Sequence, residues 1–115
     1  MDKKQFGQWA EQLVVNYLKR EGYIIVACNW QCRFGELDII TKKDKVIHFI
    51  EVKARRSFGF GWPEEALTTI KQHKLLMAIA SYLINQPNQL WQLDLVIIEQ
   101  HGQKYYLQLF ENVGE

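Results

Sequence analysis

The fold is decided by two apolar stretches on either side of four polar residues: Leu37-Asp38-Ile39-Ile40-Thr41 and Val46-Ile47-His48-Phe49-Ile50-Glu51-Val52. Both stretches are rich in Ile, Val and Phe, which favour β-strands. The polar residues between them predict a tight turn around Lys43-Asp44. The two stretches are therefore predicted to form an antiparallel hairpin.

The segment before the hairpin predicts one helix and one strand. From Lys4 to Glu21 the apolar residues recur every three or four positions, which is typical of an amphipathic helix that ends at Gly22. Tyr23 to Ala27 is β-branched and aromatic and predicts a strand. We expect an irregular segment from there through Gly35.

The segment after the hairpin predicts a second helix and two more strands. The glycine- and aromatic-rich stretch Ser57 to Trp62 predicts a loop, and Pro63 suits the first turn of a helix that runs to about Asn85. The two closing strands, with a turn at His101-Gly102, are predicted at Leu93 to Glu99 and Lys104 to Phe110. The order α-β-β-β-α-β-β predicts an α/β fold with a mixed central sheet flanked by helices.

Composition limits the classes to which the protein can belong. With 115 residues, 48% of them apolar, we expect one core and a single domain over residues 1–115. The net charge of +1 argues against a protein that simply coats nucleic acid. No apolar run approaches the roughly 20 residues that a bilayer needs, and the N-terminus does not resemble a secretory signal. We expect a cytoplasmic protein with no membrane partner, in which Cys28 and Cys32 are reduced and structural rather than joined as a disulfide.

Acidic and basic side chains are predicted to meet on one face of the hairpin. Glu51 and Lys53 are two positions apart on one strand and therefore point to the same side. A two-residue turn at Lys43-Asp44 would put Asp38 opposite Phe49, diagonally next to Glu51, whereas a slip of one residue would send it to the other face. Glu11, on the flank of the first helix, is expected to look onto the sheet and to join them.

Such a group predicts a metal site. Converging carboxylates supply the hard oxygen ligands that Mg²⁺ or Mn²⁺ prefers. The metal would activate water for attack on a phosphate, and Lys53 would orient that water or steady the developing charge. Arg33, Arg55, Lys71 and Lys74 lie near these acids in sequence and are the candidate nucleic-acid contacts.

Structural alternatives stand beside this hypothesis. A Glu-x-Lys pair is common on exposed strand faces, and Glu11 alone would be an ordinary solvated helix residue. An acid within an apolar strand is costly to bury, so the alternative for Asp38 is an ion pair with Lys53 or Arg55. His48 and His73 have no identifiable partner in the sequence and are interpreted as packed or surface residues.

Several motifs resemble those of one known family. They are Gly7-x-x-Ala10-Glu11, Asn29, Gly35-Glu36-Leu37-Asp38-Ile39-Ile40, Phe49-Ile50-Glu51-Val52-Lys53-x-Arg55, Pro63-Glu64-Glu65-Ala66 and Lys71-x-x-Lys74. Over nearly its whole length the chain resembles the small YraN-like bacterial proteins, described as uncharacterised or as endonucleases within the PD-(D/E)XK superfamily. One departure is Gln92-Leu93-Asp94, where members of that family often carry a basic residue and Phe before the acid.

The resemblance implies a restriction endonuclease-like fold of the Holliday-junction-resolvase type. It also implies that Asp38, Glu51 and Lys53 form the superfamily signature and that Glu11 is its helix carboxylate. The leading expectation is a Mg²⁺- or Mn²⁺-dependent endonuclease that acts on DNA, including branched or damaged DNA, and that is able to work as a homodimer. The alternatives are a non-catalytic nucleic-acid-binding module on the same fold and an acidic-patch protein-interaction domain.

Overall fold

A computed structural model describes residues 1–56 and 69–114 of the chain. The helices are α1 (Lys3–Arg20) and α2 (Thr69–Tyr82). The strands are β1 (Ile24–Cys32), β2 (Gly35–Lys43), β3 (Val46–Arg55), β4 (Trp91–His101) and β5 (Lys104–Phe110). The predicted element order is confirmed. The loop predicted at Ser57 to Trp62 and the start of the second helix at Pro63 lie outside the described residues.

The strands form one mixed sheet whose spatial order is the order of the chain, β1-β2-β3-β4-β5. All neighbours are antiparallel except β3 and β4, which run parallel. A parallel pair needs a long crossover connection, and α2 lies within it. The chain is thus an α/β fold, as predicted.

Each helix covers one face of the sheet because strand side chains alternate. The core between α1 and the sheet contains Val14 and Leu18 of the helix and Ile39, Ile50 and Val96 of the strands. The core between α2 and the sheet contains Leu75 and Ile79 of the helix and Ile40, Phe49 and Leu93 of the strands. Phe49 and Ile50, adjacent on β3, thus point to opposite cores. Any polar side chain on β3 is assigned to a helix by the same alternation.

Both ends of α1 are capped by hydrogen bonds. Asp2 accepts a hydrogen bond from the backbone N–H of Gln5 (2.8 Å), and the Gln5 side chain accepts one from the N–H of Asp2 (2.9 Å). At the other end Gly22 adopts φ +92°, and the N–H of Tyr23 donates to the carbonyl oxygen of Leu18 (2.9 Å). The helix ends where Gly22 predicted.

The turn between β2 and β3 lies one residue later than predicted. It consists of Asp44 and Lys45, which both have positive φ (+52° and +68°), as hairpin turns of two residues require. Lys43 therefore pairs with Val46, and the whole register moves by two positions. A shift of two preserves the face of every side chain.

Strand lengths also differ from the prediction. β1 continues to Cys32, so the irregular segment expected after Ala27 is wrong; a bulge at Val26 bends the strand and lets it continue along β2. The helix α2 ends at Tyr82, short of Asn85. At the second hairpin His101 pairs with Lys104, which moves the predicted turn to Gly102 and Gln103.

Two smaller expectations have mixed outcomes. Cys28 and Cys32 are both free thiols, but Cys28 is exposed and so is not a core residue. Within the described ranges, no helix combines the length and apolar character needed to span a bilayer.

We expect Gly22→Ala and Gly7→Ala to change stability in opposite directions. Forcing a Cβ into the left-handed conformation of Gly22 should lower the free energy of unfolding by about 1 to 2 kcal/mol. A Cβ at Gly7, inside α1, meets no atom within 4 Å and should raise it by about 0.5 to 1 kcal/mol. Urea denaturation of both variants measures the two signs; a loss of stability in Gly7→Ala would contradict this account of α1.

Candidate active site

Asp38 lies where β2 and β3 stop pairing regularly. The last backbone pair of the two strands is Ile39 with Ile50. Beyond it, the Oδ2 atom of Asp38 accepts a hydrogen bond from the backbone N–H of Val52 (2.9 Å). A side-chain oxygen thus replaces a backbone acceptor, and the carboxylate of Asp38 is held beside the strand that carries Glu51.

Glu51 is buried on the α2 face of the sheet, with 8% of its surface exposed. The Nζ atom of Lys71, on α2, lies 3.4 Å from its Oε1 atom. Burial raises the pKa of Glu51 to about 8, helped by the negative charge of Asp38 and a hydrogen bond to it, and opposed by Lys71. At neutral pH and without a metal, the Asp38–Glu51 pair therefore retains one proton.

Glu11 extends this acidic group from the α1 side. Burial raises the pKa of its carboxyl, and the charge of Asp38 raises it further. Asn29 opposes that rise by hydrogen bonding: with its amide nitrogen facing the acids, it donates to Oε1 of Glu11 (3.1 Å) and to Oε1 of Glu36 (2.7 Å). Asn29 has φ +54°, a conformation that asparagine tolerates well, which lets its amide reach both acids.

The three predicted metal ligands are near one another but have not fully converged. In the described part of the chain, the carboxylate oxygens of Glu11, Asp38 and Glu51 do not all lie within 4.8 Å of one another. Like charges repel, so carboxylates without a cation between them separate or bind a proton. The structure thus brings Asp38 and Glu51 together and leaves Glu11 at the margin.

The predicted basic residues have different environments. Lys53 is exposed and shares the Glu51 side of β3 by strand alternation. Arg55 instead reaches β4, where its guanidinium lies 3.5 Å from Oε1 of Glu99. No ion pair joins Asp38 to Lys53 or Arg55 in the described part of the chain, so the structural alternative for Asp38 is wrong.

A shallow cleft of about 170 Å³ opens beside Glu51. It is lined by Phe34, Gly35, Glu36, Glu51, Lys71, Lys74 and Leu75. Its apolar floor and lysine rim meet the acidic group at one edge. Arg33, on the neighbouring turn, is exposed, with its guanidinium 4.6 Å above the Phe34 ring. Lys71 and Lys74 therefore join the site, and Arg33 lies next to it.

Sequence reasoning missed several residues. The sequence motifs contained Asn29 and Glu36 but gave neither of them a function. The path of β1 brings the Asn29 amide into contact with both Glu11 and Glu36. His48 is a packed residue, one of the two alternatives predicted, and it has a partner that the sequence did not reveal: its Nδ1 atom lies 2.9 Å from Oδ2 of the buried Asp94 on β4. His73 is exposed on α2, as expected.

Comparison with known proteins gives the chain a family. A family model described as "Uncharacterised protein family UPF0102" matches residues 10–98, which include every acidic residue of the site. The chain belongs to this family.

Two relatives illustrate how far the similarity extends. A UPF0102 protein of Caldicellulosiruptor bescii is 42% identical over 101 residues, covering 85% of each chain. A UPF0102 protein of Syntrophomonas wolfei is 45% identical over 84 residues, 73% of each chain. These UPF0102 names state no activity.

We expect Glu51→Gln to stabilise the metal-free protein at alkaline pH. The folded state holds the Glu51 proton up to a pKa of about 8, against a usual value of 4.5, so folding binds a proton in between. The free energy of unfolding of the wild type should therefore fall as pH rises through this window, by up to about 1.4 kcal/mol per unit. Glutamine lacks this penalty and should be more stable at pH 9 by on the order of 3 kcal/mol.

The measurement is urea denaturation with a chelator at pH 5, 7 and 9. Glu21→Gln, at an exposed glutamate, controls for the loss of one negative charge. Equal differences between Glu51→Gln and wild type at all three pH values would contradict the buried, proton-sharing pair.

Proposed function

We propose that this UPF0102 protein is a Mg²⁺- or Mn²⁺-dependent endonuclease of the PD-(D/E)XK type that hydrolyses phosphodiester bonds in DNA. The observation that carries the proposal is the pairing of half-buried Asp38 with buried Glu51, in which Asp38 is held by the hydrogen bond from the backbone N–H of Val52 and exposed Lys53 follows Glu51 by two residues on β3. The resemblance of these motifs to those of YraN-like proteins supports it.

A divalent cation suits the residues present. Burial raises the pKa of Glu51, the negative charge of Asp38 raises it further, and Lys71, at 3.4 Å, offsets the rise only in part. A hard cation would replace the proton, and we expect Asp38 and Glu51 to hold it, with Glu11 as the further acidic ligand. When bound, it would activate water and stabilise negative charge on the phosphoryl oxygens.

The protein's own residues would contribute positioning and charge. Lys53 is exposed next to the acidic pair, where an ammonium group can orient the attacking water or neutralise charge in the transition state. Hydrolysis adds the hydroxyl of water to phosphorus and a proton to the departing sugar oxygen. Lys71 and Lys74, on the cleft rim, are suited to bind the flanking phosphates.

A purely structural or protein-binding role accounts less well for these features. Burying the Glu51 carboxyl beside the carboxylate of Asp38 costs stability, because desolvation and like charge both disfavour its ionised form. A binding module would gain nothing from that cost, whereas a metal site requires the acids to be close. The Asp38–Glu51 pair therefore favours catalysis over the alternatives.

We expect Asp38→Asn and Lys53→Gln to separate metal binding from cleavage. Asp38→Asn should abolish cleavage and remove one equivalent of Mn²⁺ binding by calorimetry, because it removes a ligand of this site. Lys53→Gln should bind Mn²⁺ as the wild type does but cleave about 10² to 10³ times more slowly. Lys104→Gln, on exposed β5, is the matched control and should behave as wild type in both assays.

Labelled linear, four-way-branched and abasic DNA are incubated with these proteins in Mg²⁺ or Mn²⁺. If the wild-type protein binds metal but cleaves none of the substrates, the nucleic-acid-binding alternative is favoured over the nuclease. If the wild-type protein does not bind Mn²⁺ at millimolar concentration, the proposed metal site is wrong.

We expect Lys74→Gln to weaken DNA binding by loss of one phosphate contact. In a chelator, where no cleavage occurs, the slope of log affinity against log salt concentration should become shallower by about 1. Lys104→Gln should leave the slope unchanged. Fluorescence anisotropy over a salt series measures it, and an unchanged slope in Lys74→Gln would exclude the cleft rim from the DNA interface.

A further inference from the structure

A second group of side chains able to bind a metal lies on the α1 face of the sheet, three residues earlier along β3. His48 on β3, Asp94 on β4 and Glu111 just after β5 each offer one ligand atom, and these atoms all lie within 4.8 Å of one another. His48 precedes Glu51 by three residues and faces the opposite way, which separates the two groups by about 10 Å along the strand. The group is therefore distinct from the proposed nuclease site.

Asp94 is the fixed centre of this group. Its side chain is fully buried. Its Oδ1 atom accepts hydrogen bonds from Nε2 of Gln92 (2.8 Å) and from the backbone N–H of Asn112 (3.0 Å). Its Oδ2 atom faces Nδ1 of His48 at 2.9 Å. Metal-ligating carboxylates are commonly held in this way, with neighbouring donors fixing the orientation of the group.

We infer that His48, Asp94 and Glu111 bind a divalent transition-metal ion, of which Zn²⁺ is the representative. One imidazole and two carboxylates are a donor set suited to Zn²⁺ and unlike the all-oxygen sets of Mg²⁺ and Ca²⁺. Tetrahedral ligands that are each about 2.1 Å from an ion are about 3.4 Å apart, so His48 Nδ1 and Asp94 Oδ2, now hydrogen-bonded at 2.9 Å, would need to separate by only about 0.5 Å when an ion replaces the hydrogen between them.

The surroundings are arranged to favour a cation. In the part of the chain that the structure describes, no lysine or arginine forms an ion pair with Asp94 or Glu111. The ring of Tyr23 packs edge-on against His48 at 5.2 Å, and burial together with the charges of Asp94 and Glu111 raises the pKa of Tyr23 to about 12. Asp94 and Glu111 thus contribute negative charge to the site, and the Lys43 ammonium lies over the Tyr23 ring, 4.7 Å from its centroid.

Glu111 is the solvent-exposed ligand of the proposed site, and its side chain can move to meet an ion. It is exposed, whereas His48 and Asp94 are buried. Nε2 of Gln92 lies 3.3 Å from its Oε1 atom and keeps the side chain near the site. An ion entering from solvent would meet Glu111 first and would join β3, β4 and the segment after β5.

The test uses the Glu51→Gln protein, in which the proposed nuclease site has lost a ligand. We expect it to bind one equivalent of Zn²⁺ by calorimetry and to gain thermal stability as the ion is added. Adding Glu111→Gln should raise the Kd for Zn²⁺ at least about tenfold. Glu21→Gln is the matched control, because Glu21 is also exposed and also acts on the charge environment of Tyr23.

Co²⁺ in place of Zn²⁺ identifies the ligands. Visible bands without a thiolate-to-cobalt charge-transfer band exclude Cys28 and Cys32 as the binding site. If Glu21→Gln and Glu111→Gln raise the Kd for Zn²⁺ equally, the effect comes from overall charge and not from ligation by Glu111, which would overturn the site. No binding at millimolar Zn²⁺ would show that His48 and Asp94 form only a hydrogen-bonded pair, and neither result bears on DNA cleavage.

Discussion

The register of β2 against β3 is the constraint on which the acidic site depends. The left-handed turn residues Asp44 and Lys45 set that register, and with it the point where the strands separate next to Asp38. Separation leaves the N–H of Val52 without a backbone partner, and the Asp38 carboxylate takes that place. Asp38 is thereby anchored to the strand that carries Glu51, and the proximity of the two acids follows from backbone hydrogen bonding.

The sheet then divides its polar chemistry between two faces. Because β3 alternates, Glu51 faces α2 and Lys71, while His48 faces Tyr23 and the α1 side. Each group is built across strands that are neighbours in the sheet, and each sits next to one of the two apolar cores. A single strand therefore supplies an acid to one polar cluster and an imidazole to another without the two interfering.

The pattern of apolar residues was enough to predict the order of the strands and helices and the proximity of Asp38 and Glu51. That proximity survived an error in the turn, because moving a register by two residues preserves the side to which the paired residues point. The turn itself was harder to place, since Lys45 carries no preference for positive φ. The contact of His48 with Asp94 joins residues 46 apart through parallel pairing, for which no local pattern exists.

The path of β1 links the acidic site to the exposed edge of the sheet. β1 lies at the edge of the sheet, and Ile24 and Val26 are 68% and 49% exposed, which is the kind of surface on which other chains can add strands. The bulge at Val26 and the left-handed backbone at Asn29 interrupt this edge, which disfavours pairing with a straight strand of another chain. The Asn29 amide also donates hydrogen bonds to Glu11 and Glu36. The backbone conformation that positions these two acids therefore also disfavours the addition of strands at this edge.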